Sequence, residues 1–445
     1  MNKPAIDPGT RFSIQLAGAP STDCGDLSST ELAEIRPASI PNIKPKLLVK
    51  EGDKVKVGTP LFFDKQDEKV QFPSPVAGTI TEIVFGERRV LEAIRFKRDA
   101  KLSYMSQKGV DFTKLDSEGI RKALIEHGLW SFFRCFPFNA IPASDQEISS
   151  IYLSIDDDEP YTAQSQVILD GKTELLKEGV QLLKALSQRV TVSASNKNPI
   201  ADSIAGLIDI QVEGEYPANQ PGTVMYHHKS CPSDHHALYI SLQNLLLITE
   251  ALKSGKFPTE RVITVAGPSS RLRKHLRVPI GTTLKSLGDK GVGTTNTRHI
   301  IGGVLTGEQV ADNAGISYFD SAVNLIQDKP ESEFMSFVQP GLAKQSYSHS
   351  FLSALFPPKE PETSASIQGS LRDCISCGHC NEVCPVEILP QYLLRELEGD
   401  DVETAMTHGL LDCTSCGLCT YVCPSKIELS EQFTAAKAVL RKEAS

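Results

Sequence analysis

Eight of the eleven cysteines in this 445-residue chain fall into two copies of one pattern, C-x2-C-x2-C-x3-C-P. The first copy is Cys374, Cys377, Cys380, Cys384 and Pro385; the second is Cys413, Cys416, Cys419, Cys423 and Pro424. Three thiolates on one tight loop can wrap three corners of an iron–sulfur cube. The fourth lies too far along the chain to close the same cage comfortably, and where two such runs occur it ligates the other cluster. The spacing therefore predicts one [4Fe–4S] cluster on Cys374, Cys377, Cys380 and Cys423. It predicts a second on Cys413, Cys416, Cys419 and Cys384. Crossed ligation makes the two clusters close neighbours, so the module is expected to pass electrons. Zinc sites commonly use two C-x2-C pairs for four ligands in total, and disulfide frameworks suit short secreted chains. Neither matches two runs of four closed by proline.

The rest of the chain must place these loops. Hydrophobic content of 40% and charged content of 23% are those of a globular protein, and the length suggests about three or four domains. A formal net charge of -9 argues against nucleic acid as a bulk partner. Residues 1–20 lack the basic-then-apolar layout of a secretion signal. Cluster ligands must stay thiolates, which requires a reducing compartment. No stretch reaches the ~20 apolar residues that span a bilayer. The most apolar window, 237–252, is broken by Gln243, Asn244, Thr249 and Glu250 and reads as a buried helix.

Four units are expected, over 1–100, 101–257, 258–335 and 336–445. The fold class is multidomain α/β plus β. In the first unit, apolar and polar residues alternate over 47–61 around Gly52 and Gly58, then a Pro73-Ser74-Pro75 segment leads to Gly78 and Ile80. This layout resembles the barrel-sandwich hybrid of biotinyl and lipoyl carriers. Asp67 stands where a carrier has its acceptor lysine, with Lys65 and Lys69 to either side, so the carrier function is not expected. The second unit alternates helical patterns (117–128, 172–188) with strand-like runs (148–155, 189–193), as a Rossmann-like α/β domain does, but has no G-x-G-x-x-G fingerprint. Strand patterns at 262–268 and 277–284 resemble a small β-grasp (SLBB) domain. A Pro/Glu/Ser-rich linker over 357–366 then leads into the cysteine runs, and helical patterns at 389–397 and 401–408 suggest an α-helical ferredoxin.

The chain as a whole resembles the NqrA family, one of the component proteins of the Na+-translocating NADH:quinone oxidoreductase. The matching segments are VKEGDKVKVGTPLFFDK (49–65), GLWSFFRCFPFNAIPAS (128–144), ERVITVAGPSSRLRKHLRVPIGTTL (260–284), RHIIGGVLTGE (298–308), SYSHSFLSAL (346–355) and the tail 388–429. The resemblance implies a peripheral subunit without transmembrane helix, on the cytoplasmic face of a bacterial inner membrane. It would be docked on the membrane component NqrB in a six-protein complex (NqrA to NqrF) that passes electrons from NADH to ubiquinone and exports Na+. Typical NqrA proteins have lost most of the cluster cysteines, whereas this chain keeps all eight, as the RnfC component of the related Rnf complex does. RnfC cradles flavin and nucleotide phosphates on a Gly-rich loop; the corresponding place here is Gly128-Leu129-Trp130-Ser131-Phe132-Phe133, where bulky aromatics would block a phosphate. NADH and flavins are therefore expected in the complex but not on this chain. The alternative is an RnfC-like protein that oxidises NADH through bound FMN and feeds ferredoxin.

Trp130, Phe132, Phe133, Arg134, Phe136 and Phe138 form a dense aromatic cluster with one cation. The family's quinone contact, and the fit of aromatic walls plus one donor to a flat ring with two acceptor oxygens, make these six the candidate quinone site; the competing role is core packing. His227, His228, Cys231, His235 and His236 crowd into ten residues, where zinc is conceivable but a polar loop is favoured. The run Arg271, Arg273, Lys274, Arg277 reads as a solvated face. His379 is either a tuner of the first cluster or a solvent-facing residue, and Cys24 and Cys135 read as incidental thiols.

Overall fold

The computed structural model describes residues 5–14, 16–28, 30–156, 158–231, 236–288, 296–328, 338, 340–342, 347, 351–359, 363, 365 and 370–444. His235, half of the expected 357–366 linker and the expected 335/336 boundary lie outside them.

The barrel-sandwich unit is built of two small sheets. One runs in the order Leu32–Ile35, Leu91–Arg98, Gly78–Phe85, Lys54–Val55, and the other Pro45–Leu47, Pro60–Asp64, Asp67–Pro73. Alternation places Leu61, Phe72, Ile80, Ile94 and Phe96 inside, each nearly free of solvent contact. Phe62 and Phe72 stack across the hairpin with centroids 4.6 Å apart. At the tip, Asp67 does not face open solvent. Its carboxylate accepts from the backbone N–H of Ser144 at 2.6 Å, which ties the hairpin to the next unit.

The α/β unit has a six-stranded sheet in the order Ala5–Ile6, Ile210–Val212, Val190–Ser195, Ile151–Ser154, Leu238–Ser241, Arg134–Cys135. The first five strands are parallel and the last is antiparallel. The helix Ser117–Glu126 starts where the Asp116 side chain accepts from Gly119 N–H. In the helix Thr173–Leu186, Leu176, Val180 and Leu183 recur at helical spacing and are buried. The apolar window over 237–252 splits in two. Leu238–Ser241 is a buried strand, and Ser241 then caps the helix Leu242–Ser254. A short apolar run fits a buried strand or helix equally well, so periodicity alone misassigns it.

A third, mixed sheet runs Glu308–Val310, Thr297–Ile301, Ala322–Gln327, Glu260–Ala266, Lys274–Pro279, Ser21–Asp26. The first 26 residues thus lend an edge strand to each of the two six-stranded sheets before the barrel-sandwich begins at Leu32. Fully buried His275 joins the units. One ring nitrogen meets Ser21 O at 2.7 Å and the other accepts from Gln164 N–H at 3.0 Å.

The C-terminal unit consists of short helices around the cysteine loops. Pro390–Glu398 and Val402–Thr407 match the helical patterns, the latter capped by Asp401. The helix Leu429–Ala444 closes the unit with Phe433 in its core.

Candidate metal centre and adjoining cavity

The two cysteine loops repeat one backbone design. Ser376 and Ser415 adopt φ of 54° and 56°, and Gly378 and Gly417 adopt 81° and 80°, all left-handed. Glycine tolerates that region without a Cβ penalty. From each glycine a short helix starts, His379–Glu382 and Leu418–Val422, carrying the third cysteine of each run as its second residue.

Between the runs, the structure interleaves the cysteines. Burial pushes the Cys380 thiol up to about 11, and the neighbouring charges that add to the rise belong to Cys377, Cys374 and Cys423. Cys384 is pushed to about 12 by burial, with Cys416 and Cys413 as its like-charged neighbours. Burial also raises Cys416 to about 12, and raises Cys419 well above its ordinary range. Cys419 senses Cys413, Cys416, Cys384 and, last, Cys380, so the two groups adjoin. Hydrogen bonds join the two runs: Arg372 N–H donates to Ser425 O at 3.0 Å, and Ser425 Oγ donates to Asp373 O at 2.9 Å. These hold the start of the first run against the end of the second.

Cys384, Cys413, Cys416 and Cys419 line one small apolar pocket together with Val386, Leu418 and Phe433. Among the described residues, no three His, Cys, Asp or Glu side chains converge on a single-ion site. This second group is the more buried; Cys377 of the first is exposed.

The second loop also docks on the α/β unit. Tyr216 OH donates to Cys416 O at 2.7 Å, and Lys229 Nζ meets Asp412 Oδ1 at 2.5 Å. His227 Nε2 lies 2.7 Å from Pro385 O. Lys437 Nζ donates to Cys413 O at 2.7 Å and to Pro137 O at 3.1 Å. Spacing pointed to none of these partners except His227, which belonged to the histidine cluster.

The aromatic segment divides. Trp130, Phe132 and Phe133 are core residues with at most 1% exposure. The Trp130 indole N–H donates to Pro142 O at 2.8 Å, and Phe132 packs edge-on against Phe257 and Phe319. Phe138 is half-buried against the same core. Arg134 and Phe136 instead face a cavity of about 350 Å3. It opens at the carboxyl ends of the strands Ile151–Ser154 and Leu238–Ser241, where α/β sheets bind ligands. The Arg134 guanidinium lies 4.2 Å from the Phe319 ring centroid, with Nη1 donating to Ser131 O and Phe133 O. Phe136 stacks on Tyr239 at 4.6 Å, and burial pushes the Tyr239 hydroxyl up to about 12. Asn139, Asn244, Arg261 and Thr414 also line this cavity, and each has a buried polar side-chain atom with no hydrogen-bond partner in the protein. Thr414 and Ser415 belong to the second cysteine loop, so the cavity reaches from Arg134 to the cluster module.

At the loop over 128–133 the backbone is already committed. A Cβ on Gly128 would meet Pro73 at 2.2 Å, Leu129 N–H donates to Leu124 O, and Phe133 N–H donates to Trp130 O. His227 and His228 point to different partners, Pro385 and Tyr152, and Ser149 Oγ donates to His236 O. Arg271, Arg273 and Arg277 are exposed or half-buried, with Arg277 paired to Asp26. The His379 ring packs edge-on against Tyr347 at 4.9 Å and lies 3.8 Å from Glu382. Cys24 is exposed and Cys135 is buried.

Comparison with known families agrees with these units. Residues 9–99 match the NqrA N-terminal barrel-sandwich hybrid domain, 115–257 the NqrA second alpha/beta domain, and 373–427 a 4Fe-4S dicluster domain. The NqrA component of the Na(+)-translocating NADH-quinone reductase of Rhodopirellula baltica is 31% identical over 376 residues, covering 83% of this chain and 82% of that protein. The chain belongs to the NqrA family. The Vibrio campbellii NqrA is 28% identical over 402 residues, covering 89% of this chain and 90% of the relative. A crystal structure of NAD+-reducing [NiFe]-hydrogenase in the H2-reduced state aligns with a TM-score of 0.36 at 10% identity, over 77% of this chain and 67% of that one, too distant to bear on the fold. Among the described residues, no helix is long and apolar enough to cross a membrane. NqrA-family membership and a dicluster domain therefore meet in one chain.

Proposed function

We propose that this chain is the peripheral, electron-transferring NqrA component of a Na+-translocating NADH:quinone reductase and holds two [4Fe–4S] clusters. Cys374, Cys377, Cys380 and Cys423 would hold one; Cys413, Cys416, Cys419 and Cys384 would hold the other. The carrying observation is the cavity that Cys384 of the first run shares with three cysteines of the second. Four sulfurs around a space suit a multi-iron cube better than a single ion. Bound cubes supply one-electron transfer. The chain's own residues hold the thiolates, exclude water from the inner site, and fix the second loop against the α/β unit.

Quinone interaction is assigned to the cavity at Arg134 and Phe136. There the Arg134 guanidinium offers a donor to a ring oxygen. Trp130, Phe132, Phe133 and Phe138 then support that wall from the core. The mixed sheet containing Glu260–Ala266 is read as the β-grasp domain. Partners are the membrane component NqrB and the components NqrC to NqrF, at the cytoplasmic face, with NADH and flavins bound elsewhere in the complex. The backbone over 128–133 favours this over an FMN-binding RnfC-like protein, because the N–H groups of Gly128, Leu129, Phe132 and Phe133 are already bonded within the loop and its neighbouring helix.

Anaerobic purification with iron and acid-labile sulfide analysis tests the reading: about eight of each per chain are expected for two cubes. An iron-free chain that is folded and active in its complex would sink it.

A further inference from the structure

Lys437 lies on the helix Leu429–Ala444 four residues after the core residue Phe433, so it falls on the helix's apolar face. It is 3% exposed. Its ammonium donates to the carbonyls of Cys413 and Pro137, which are dipoles and not counter-charges. Among the described residues it makes no ion pair. The nearest acid, Asp412, is engaged by Lys229. An ammonium buried without a carboxylate is costly unless some other negative charge lies close. A cube with four thiolates is such a charge. It is a net anion, and it becomes more negative when it accepts an electron.

We propose that Lys437 is a positioning residue that supplies the positive charge holding up the reduction potential of the cluster on Cys384, Cys413, Cys416 and Cys419. Cluster potentials follow net charge, hydrogen bonds to sulfur and solvent exposure. Burial by itself disfavours the more negative reduced form, and this is the more buried of the two cysteine groups. A fixed ammonium touching the Cys413 backbone opposes that penalty through a low-dielectric interior. The other group has no such counterpart among the described residues. Arg372 and Arg395 beside it are exposed, where water and salt screen them, and Lys426 is only half-buried. Without this charge the inner cluster would be hard to reduce, and a path through it to the cavity at Thr414 would stall.

This inference rests on the two-cluster reading and is tested on the full chain by potentiometric titration followed by low-temperature EPR. Two reduction steps are expected. Lys437→Met should move one of them to lower potential by at least tenfold in its equilibrium, about 59 mV for a one-electron couple, and leave the other in place. Lys437→Arg should restore it. Lys442→Met removes an exposed charge from the same helix and should move neither step, which separates the buried charge from charge on the surface. Lys437→Gln keeps an N–H donor for the two carbonyls and should show the same fall; it decides the matter if Lys437→Met does not retain iron. Charge-removing variants of Lys437 with both steps unmoved, or both moved equally, overturn its role. A wild-type chain with no cluster signal refutes the two-cluster reading instead.

Discussion

Lys229 and Asp412 form a buried ion pair across the junction between the α/β unit and the cysteine module. Nζ and Oδ1 are 2.5 Å apart, and the side chains are only 8% and 12% exposed. Asp412 immediately precedes the first cysteine of the second run. The pair therefore sets where that loop sits relative to the cavity at Arg134.

Breaking one side of the pair should be far worse than replacing both. Lys229→Met alone removes the ion-pair partner of a buried carboxylate and should cost roughly 3–5 kcal/mol, whereas the double variant K229M/D412N should be near wild type. Thermal or denaturant unfolding of the two variants checks this. Equal losses would show that packing, not charge, holds the junction.

Crossed ligation makes an asymmetric prediction about single cysteines. Cys423→Ser should perturb the cluster otherwise held by the first run, and Cys384→Ser the one otherwise held by the second. Each variant should keep the EPR signature of the opposite cluster. Variants that each perturb only the cluster of their own run would refute the crossing.

Thiols raised by burial are protonated at neutral pH, so loading the iron-free chain must expel their protons. Cys380, Cys384, Cys416 and Cys419 lie above the ordinary thiol value, and their ionisation is favoured only once iron binds. Reconstitution near neutral pH should therefore release protons, and cluster loading should weaken as pH falls. Calorimetry in buffers of different ionisation enthalpy measures the number released. No release would contradict the buried, protonated thiols.

Within the aromatic segment, the two faces should respond differently. Arg134→Gln should weaken a short-chain quinone analogue by about tenfold or more, the scale of one charge-assisted hydrogen bond, and cost about 1–3 kcal/mol of stability by releasing the Ser131 and Phe133 carbonyls. Trp130→Ala should instead cost about 3–5 kcal/mol of stability through its cavity. Titration calorimetry and unfolding curves separate the two. Unchanged affinity in Arg134→Gln would remove the quinone assignment.

Features whose geometry is local were legible in the sequence. The cysteine spacing, the helices near 117–128 and 172–188 and the alternation of the barrel-sandwich depend on neighbours within a few residues. The strand Leu238–Ser241 was hidden in a run equally apolar as a helix. The cavity draws on Arg134, Asn244, Arg261, Phe319 and Thr414, which no spacing rule connects because the fold alone brings them together. The aromatic cluster overstated the site for the same reason: composition cannot separate Phe136, which reaches the cavity, from Phe133, which fills the core. Lys437 left a faint trace, a cation on an apolar helical stripe, which stays ambiguous until the neighbouring loop is seen.

At the hairpin tip of the barrel-sandwich, Asp67 changes what that architecture can do. In a carrier of the same build the tip is a travelling arm that ferries its cargo between distant stations. Here the Asp67–Ser144 contact moors it, so the unit works as a brace for the neighbouring sheet. Under the proposed function, electrons would pass between fixed clusters, at a pace set by their separation rather than by any swinging limb.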